Sequence, residues 1–185
     1  CRATEGIAVV LLDETYAEFS TQGSLVPKLK DHPNLIILRT LSKSYAMAGM
    51  RMGTFLSADA EFIQFVRSKC LDAYPLPVAS VNAALKVMNP EMIEVARGHI
   101  KKLLSERDRV IAAFKASKKV RHIYPPDANF FLVEMENAKG FLDLCAKHKI
   151  ILRDFSTKPI TENCLRVSIG TPEQNDRVLE LLRQH

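Results

Sequence analysis

Three side chains in the first third of the chain could do chemistry together. Ser42 and Lys43 are adjacent, and Arg51 follows eight positions after the lysine. A lysine that is desolvated or set beside other cations gives up its proton more readily, because both effects disfavour the ammonium. The neutral amine attacks aldehydes and forms a Schiff base. A neighbouring hydroxyl and an arginine fork hold phosphate. The set therefore suits a small molecule that is both electrophilic and phosphorylated. Upstream, Asp13 ends the apolar run Ile7 to Leu12, and Tyr16 stands three residues further on. An acid within reach of such a site would pair with a protonated ring nitrogen.

The elements that must position these residues are legible around them. The run 7–12 reads as a strand buried on both faces, with Asp13 at its carboxyl end, where open α/β sheets bind ligands. A loop with a short helix near 25–29 leads to a second strand, 35–39, and Lys43 lies just past its end. Gly49 and Gly53 permit close backbone approach, and 53–56 returns as a further short strand. Pyridoxal 5'-phosphate carries an aldehyde and a phosphate on one ring, and its binding sites use a lysine Schiff base with an acidic partner at the pyridine nitrogen.

The motifs Asp13-Glu14-Thr15-Tyr16, Thr40-Leu41-Ser42-Lys43 and Gly49-Met50-Arg51-Met52-Gly53 resemble the cofactor region of fold-type I pyridoxal-phosphate-dependent aminotransferases. Within them the resemblance is greatest to the histidinol-phosphate aminotransferase family. The stretches 73–77, 150–155 and 164–171 are similar too, so the resemblance covers essentially the whole chain. It implies an α/β fold: part of the large cofactor-binding domain over 1–90, then a small C-terminal α/β sandwich over 91–185. It also implies roles. Lys43 would bind the cofactor aldehyde and then move a proton. Asp13 would hold the ring nitrogen and Tyr16 the ring's phenolic oxygen, and Ser42 and Arg51 would anchor the phosphate. Arg166 would meet the phosphate of histidinol phosphate or the carboxylate of 2-oxoglutarate. Arg153 is either a second anion contact or an exposed ion pair.

The activity implied is transamination between L-histidinol phosphate and 2-oxoglutarate, in histidine biosynthesis, by a homodimer. Related alternatives are a threonine-phosphate decarboxylase and an aromatic amino-acid aminotransferase, and a non-catalytic interaction domain is a reading of another class. Family members carry further cofactor-binding parts upstream of the stretch present here. The sequence therefore reads as a segment of a longer polypeptide, expected to be a poor enzyme alone.

Composition is consistent with this. The 185 residues are 47% hydrophobic and 25% charged, ordinary for a globular protein. No apolar run approaches the roughly 20 residues of a membrane span. The net charge of +5 is spread along the chain, which points to a solvated surface and a mild field for anions rather than to nucleic acid. Four cysteines without CxxC spacing and no export signal suggest reduced thiols and a cytoplasmic setting. The five histidines fit no metal spacing.

Helical patterns follow at 60–71, 78–88 and 91–118, the last long enough to run from one domain into the next. Gly98 is expected to weaken or bend it. Then strands at 120–124, 130–134, 150–153 and 165–169 alternate with helices at 138–147 and from Pro172 onward, with Thr171 as N-cap. Arg166 alternates with Leu165 and Val167, so it should point away from them.

Overall fold

The computed structural model describes all residues, 1–185. The chain divides into two compact units, Cys1–Arg97 and Gly98–His185. The division falls inside the long helix, at the glycine that breaks its propensity, seven residues beyond the expected start of the second domain.

The first unit is built on three strands. Strand β1 (Val10–Asp13) pairs in parallel with β2 (Leu35–Thr40), and β3 (Gly53–Ser57) returns antiparallel on the other side of β2. Leu35, Ile36 and Ile37 of the central strand are all buried, as expected of a strand covered on both faces. The expectation fails for β1. It begins three residues later than the apolar run, and it alternates in exposure. Ile7 is 84% exposed and Leu11 61% exposed. β1 lies at the edge of this sheet, and no element of the unit covers its outer face. The residues at 25–29 fall in a six-residue 3-10 helix, Val26–Asp31, rather than an α-helix.

Two helices follow, α1 (Ala60–Lys69) and α2 (Val78–Val87). Asp59 caps α1 as expected, accepting from the Phe62 N–H at 2.9 Å. Of the two glycines expected to permit close backbone approach, Gly49 has open space around it and Gly53 does approach its neighbour. A Cβ there would sit 3.0 Å from the Arg39 carbonyl oxygen across the β2–β3 ladder. Gly53→Ala is therefore expected to push β3 outward and destabilise the protein by about 1–3 kcal/mol. Chemical denaturation checks this, and an unchanged midpoint would show that the ladder adjusts freely.

The second unit begins within α3 (Pro90–Ala116) and continues through β4 (Val120–Ile123), β5 (Phe130–Met135) and α4 (Ala138–Lys147). β6 (Arg153–Asp154), β7 (Cys164–Ser168) and α5 (Pro172–Gln184) complete it. The four strands are ordered β4-β5-β7-β6, all antiparallel. Phe131, Val133 and Met135 of β5 and Leu165 and Val167 of β7 face one side. There they meet Val110, Ile111 and Phe114 of α3, Phe141 and Cys145 of α4 and Val178 and Leu182 of α5. This is the expected layer of helices on one sheet. Phe114 is fully buried, edge-on to Phe131 at 5.2 Å and to Phe141 at 6.2 Å between ring centroids. Burial pushes the Cys145 thiol up to about 11, which keeps it protonated and unreactive.

Two features were not visible in the pattern. The strand expected at 150–153 pairs only at Arg153 and Asp154. The cause lies in how α4 stops. Lys149 adopts a left-handed conformation (φ 61°), its N–H bonds the Ala146 carbonyl, and the Ile150 N–H bonds the Cys145 carbonyl. That doubled closure spends Lys149 and Ile150 on the helix end, and Ile151 is left 93% exposed. The second is a polar tie between α3 and α5. Arg109 bridges Glu106 and Asp176, and Asn175 donates to Glu106 at 2.9 Å. The Arg109 and Asn175 hydrogen bonds hold the Glu106 carboxyl below its usual range. Directly before that tie, Thr171 and Gln174 form a reciprocal capping box on α5 with Pro172 at its first position.

Candidate active site

The parallel pairing of β1 and β2 sets Asp13 opposite Leu38. Both strands end on the same edge, and the turn bearing Ser42 and Lys43 leaves from it. After β1 the chain makes a single 3-10 turn, Ala17–Phe19, with Phe19 buried. That turn directs Tyr16 toward the lysine, whose Nζ lies 5.5 Å from the centroid of the Tyr16 ring, within range of a cation–π contact. Four of the predicted residues, Asp13, Tyr16, Ser42 and Lys43, are thus gathered at one strand end.

The turn itself is knitted by hydroxyls. The Ser42 hydroxyl lies 2.8 Å from Thr40 Oγ1, which also receives the Ser42 N–H and donates to the Met52 carbonyl at 2.9 Å. The Met52 carbonyl also accepts from the Leu41 N–H at 3.3 Å. The segment carrying Arg51 is therefore tied back to the serine–lysine turn. Arg51 itself is exposed, and its guanidinium donates to the Ala48 carbonyl at 3.0 Å. Its backbone, like that of Ala46, is left-handed at φ 55°. Two non-glycine residues in that region within one loop store strain of the kind concentrated at functional sites. Nothing in the residue types at 46 and 51 signals it.

Lys43 is exposed, not buried. The turn projects past the end of β2, and Tyr16 covers it from one side only. No ion pair reaches Lys43. The Asp13 carboxylate accepts only from the backbone and hydroxyl of Thr15. An amine and a carboxylate at one strand end, neither of them in an ion pair, with a hydroxyl beside the amine, fit a group that presents an aldehyde, a cationic ring nitrogen and a phosphate.

The sequence reading missed the network behind this set. Glu14 is buried and accepts from the Ser24 hydroxyl and the Leu25 N–H, each at 2.6 Å. Glu18 pairs with Arg39 and accepts from the buried Ser44 hydroxyl at 2.7 Å. Acidic residues at i+1 and i+5 from Asp13, with an arginine ending the next strand, were the available signal.

Arg153 and Arg166 belong to the second unit. They face each other across the β6–β7 pair. Arg166 points away from its buried neighbours Leu165 and Val167, as its alternation predicted. Its guanidinium lies 4.7 Å over the Phe130 ring, and its Nε is buried without a hydrogen-bond partner. Arg153 is exposed and lies 5.6 Å from the Phe155 ring. Both line a cavity of about 660 Å³, with Lys149, Arg177 and Ser168 also in its wall. Like charges directly opposed on a sheet are destabilising, and an anion in the cavity would relieve this pair. Asp154, also in the wall, is engaged by the Ser156 hydroxyl and N–H, which hold its carboxyl below the usual range.

Comparison with known proteins gives this arrangement a family. Residues 2–182 match the family described as aminotransferase class I and II. A histidinol-phosphate aminotransferase from Xylella fastidiosa (strain 9a5c) is 38% identical over 178 residues, 96% of this chain and 48% of that protein. The crystal structure of histidinol-phosphate aminotransferase from Sinorhizobium meliloti, in complex with pyridoxal-5'-phosphate, superposes with a TM-score of 0.77 at 24% identity, over 95% of this chain and 49% of that one. L-threonine-O-3-phosphate decarboxylase from Porphyromonas gingivalis has the same fold, with a TM-score of 0.80 at 20% identity over 99% and 57% of the two chains. The chain spans about half the length of the curated relatives it matches. With its strand-end lysine, its α/β architecture and a match over nearly its whole length, the chain belongs to the class I and II aminotransferase family.

Proposed function

We propose that this chain is part of a pyridoxal-phosphate-dependent enzyme that transfers an amino group from L-histidinol phosphate to 2-oxoglutarate. The observation that carries the cofactor part is the Lys43 amine held over Tyr16 at a strand end shared with Asp13 and Ser42. The substrate part rests on the opposed Arg153 and Arg166, a site for a phosphate or a carboxylate, and on the 38% identity to a histidinol-phosphate aminotransferase. The reading includes residues 1–90 as part of the large domain, 91–185 as the small domain, and a cytoplasmic homodimer. No helix is long and apolar enough to cross a membrane.

Asp13, Tyr16, Ser42, Lys43 and Arg51 would hold the cofactor, which supplies an aldehyde for the amino group and a ring that accepts electrons. The remaining work falls to the protein. Asp13 keeps a negative charge facing the ring nitrogen, so that the nitrogen stays protonated. Ser42 and Arg51 take the phosphate, which keeps the bound group in place when the lysine amine is released. Lys43 would then act as base and acid, taking the proton from the substrate Cα and delivering it to the carbon that was the cofactor's aldehyde. Arg166 orients the substrate by its anionic end, using the planar fork that lysine lacks.

Assays of the full-length protein with L-histidinol phosphate, L-phenylalanine and L-threonine O-3-phosphate test the reading. Glutamate formation fastest with histidinol phosphate supports it. Release of carbon dioxide from threonine phosphate, or preference for phenylalanine, would replace it by one of the sister reactions. Arg166→Ala is expected to lower kcat/KM about ten- to a hundredfold, the loss of a charge-assisted hydrogen-bonded contact. An equal loss with a neutral amino donor would show that Arg166 serves the fold rather than the anion.

A further inference from the structure

Glu18 lies in the one turn that separates Tyr16 from the rest of the chain, yet its carboxylate reaches over to the lysine turn. One oxygen pairs with the Arg39 guanidinium at the end of β2. The other accepts from the Ser44 hydroxyl at 2.7 Å. Ser44 follows Lys43 directly, and it is buried while the lysine is exposed. The Glu18 and Arg39 side chains are themselves only 20% and 29% exposed. Arg39 also lies 3.9 Å from Glu14, whose carboxylate secures the loop at Ser24 and Leu25.

These bonds join the two segments that carry the site. β1 and β2 fix the strands, but nothing in their ladder fixes the turns beyond them. Glu18 supplies that link, from two residues past Tyr16 to one residue past Lys43. A carboxylate accepting from a charged donor makes a stronger bond than a neutral pair, and shielding from water preserves it.

We propose that Glu18 is a positioning residue: through Ser44 it holds the Lys43 turn against the Tyr16 segment and so sets where the lysine amine stands. Its value for cofactor capture rests on the reading of Lys43 given above, whereas the clamp itself does not.

The test uses the 185-residue chain with its lysines reductively methylated with carbon-13 formaldehyde, the Lys43 signal being assigned by Lys43→Arg. In the wild type the Tyr16 ring is expected to shift the Lys43 methyl resonance upfield of the other lysines. Ser44→Ala and Glu18→Ala are expected to return it to the exposed-lysine position, and Glu18→Gln, which keeps an acceptor for Ser44, to restore most of the shift. Should Glu18→Ala not fold, Ser44→Ala decides alone, because it removes a single hydroxyl. A Lys43 resonance that is unshifted in the wild type, or unmoved in Ser44→Ala, overturns the clamp.

A second readout is the rate at which Lys43 is fixed by borohydride in the presence of pyridoxal phosphate, expected to fall roughly tenfold in Ser44→Ala, as small misplacements of reacting groups do. If the wild-type chain shows the ring shift but neither it nor the full-length protein is ever fixed at Lys43, the cofactor reading fails and the clamp stands. If Ser44→Ala is fixed as fast as the wild type, the positioning role fails and the cofactor reading stands.

Discussion

Lys43→Ala in the full-length protein is expected to lower transamination by about 10⁴-fold or more, because in the proposed function one residue supplies both the amine that binds the cofactor and the group that moves the proton; general acid–base catalysis alone is worth up to about 10⁴. The substitution should cost almost nothing in stability. Lys43 is exposed and makes no ion pair; its one contact is the face of Tyr16. Lys43→Arg separates the two roles of charge and nucleophile. It keeps the cation over Tyr16 but offers no amine, so it should be as inactive as alanine. A variant retaining a tenth of the wild-type rate in either case would remove Lys43 from the chemistry. Single-turnover measurements with saturating amino donor give the comparison, with thermal denaturation as the check on folding.

Phe114→Ala is expected to be the most damaging single substitution in the second unit, costing about 3–5 kcal/mol. The ring is fully buried on α3, edge-on to Phe131 of β5 and Phe141 of α4, so it joins a strand and two helices. A loss of this size is a large part of the stability of an ordinary domain. It should appear as an earlier unfolding transition, with the cavity wall formed by Arg153 and Arg166 loosened along with it. A cost below about 1 kcal/mol would mean that the three rings do not form a packed centre.

Legibility in the sequence followed physical scale. Helix ends marked by local chemistry were read almost to the residue: Asp59 before α1, Thr171-Pro172 before α5, and the span of α4. Strands with neighbours on both sides, such as β2 and β5, followed their apolar runs. β1 did not, because burial of Ile7 and Leu11 depends on what lies beyond a sheet edge, which hydrophobicity does not encode. The strand at 150–153 shrank to two residues because Lys149 closes α4 in a left-handed conformation usually left to glycine. At the site, residue types marked Lys43, Asp13, Tyr16 and Ser42. Exposure of the lysine, the strained backbone at Ala46 and Arg51, and the Glu18–Ser44 bond arise from tertiary placement.

The most direct measurement is an absorption spectrum of the chain with added pyridoxal phosphate, followed by borohydride reduction and peptide mass mapping, run in parallel on the full-length protein. The expected result is a visible band that borohydride removes, with the reduced adduct confined to Lys43. Absence of the band in the short chain alone would mean that the rest of the protein is needed to build the pocket. A full-length protein labelled at scattered surface lysines, or not at all, would contradict the assignment of Lys43 as the cofactor lysine.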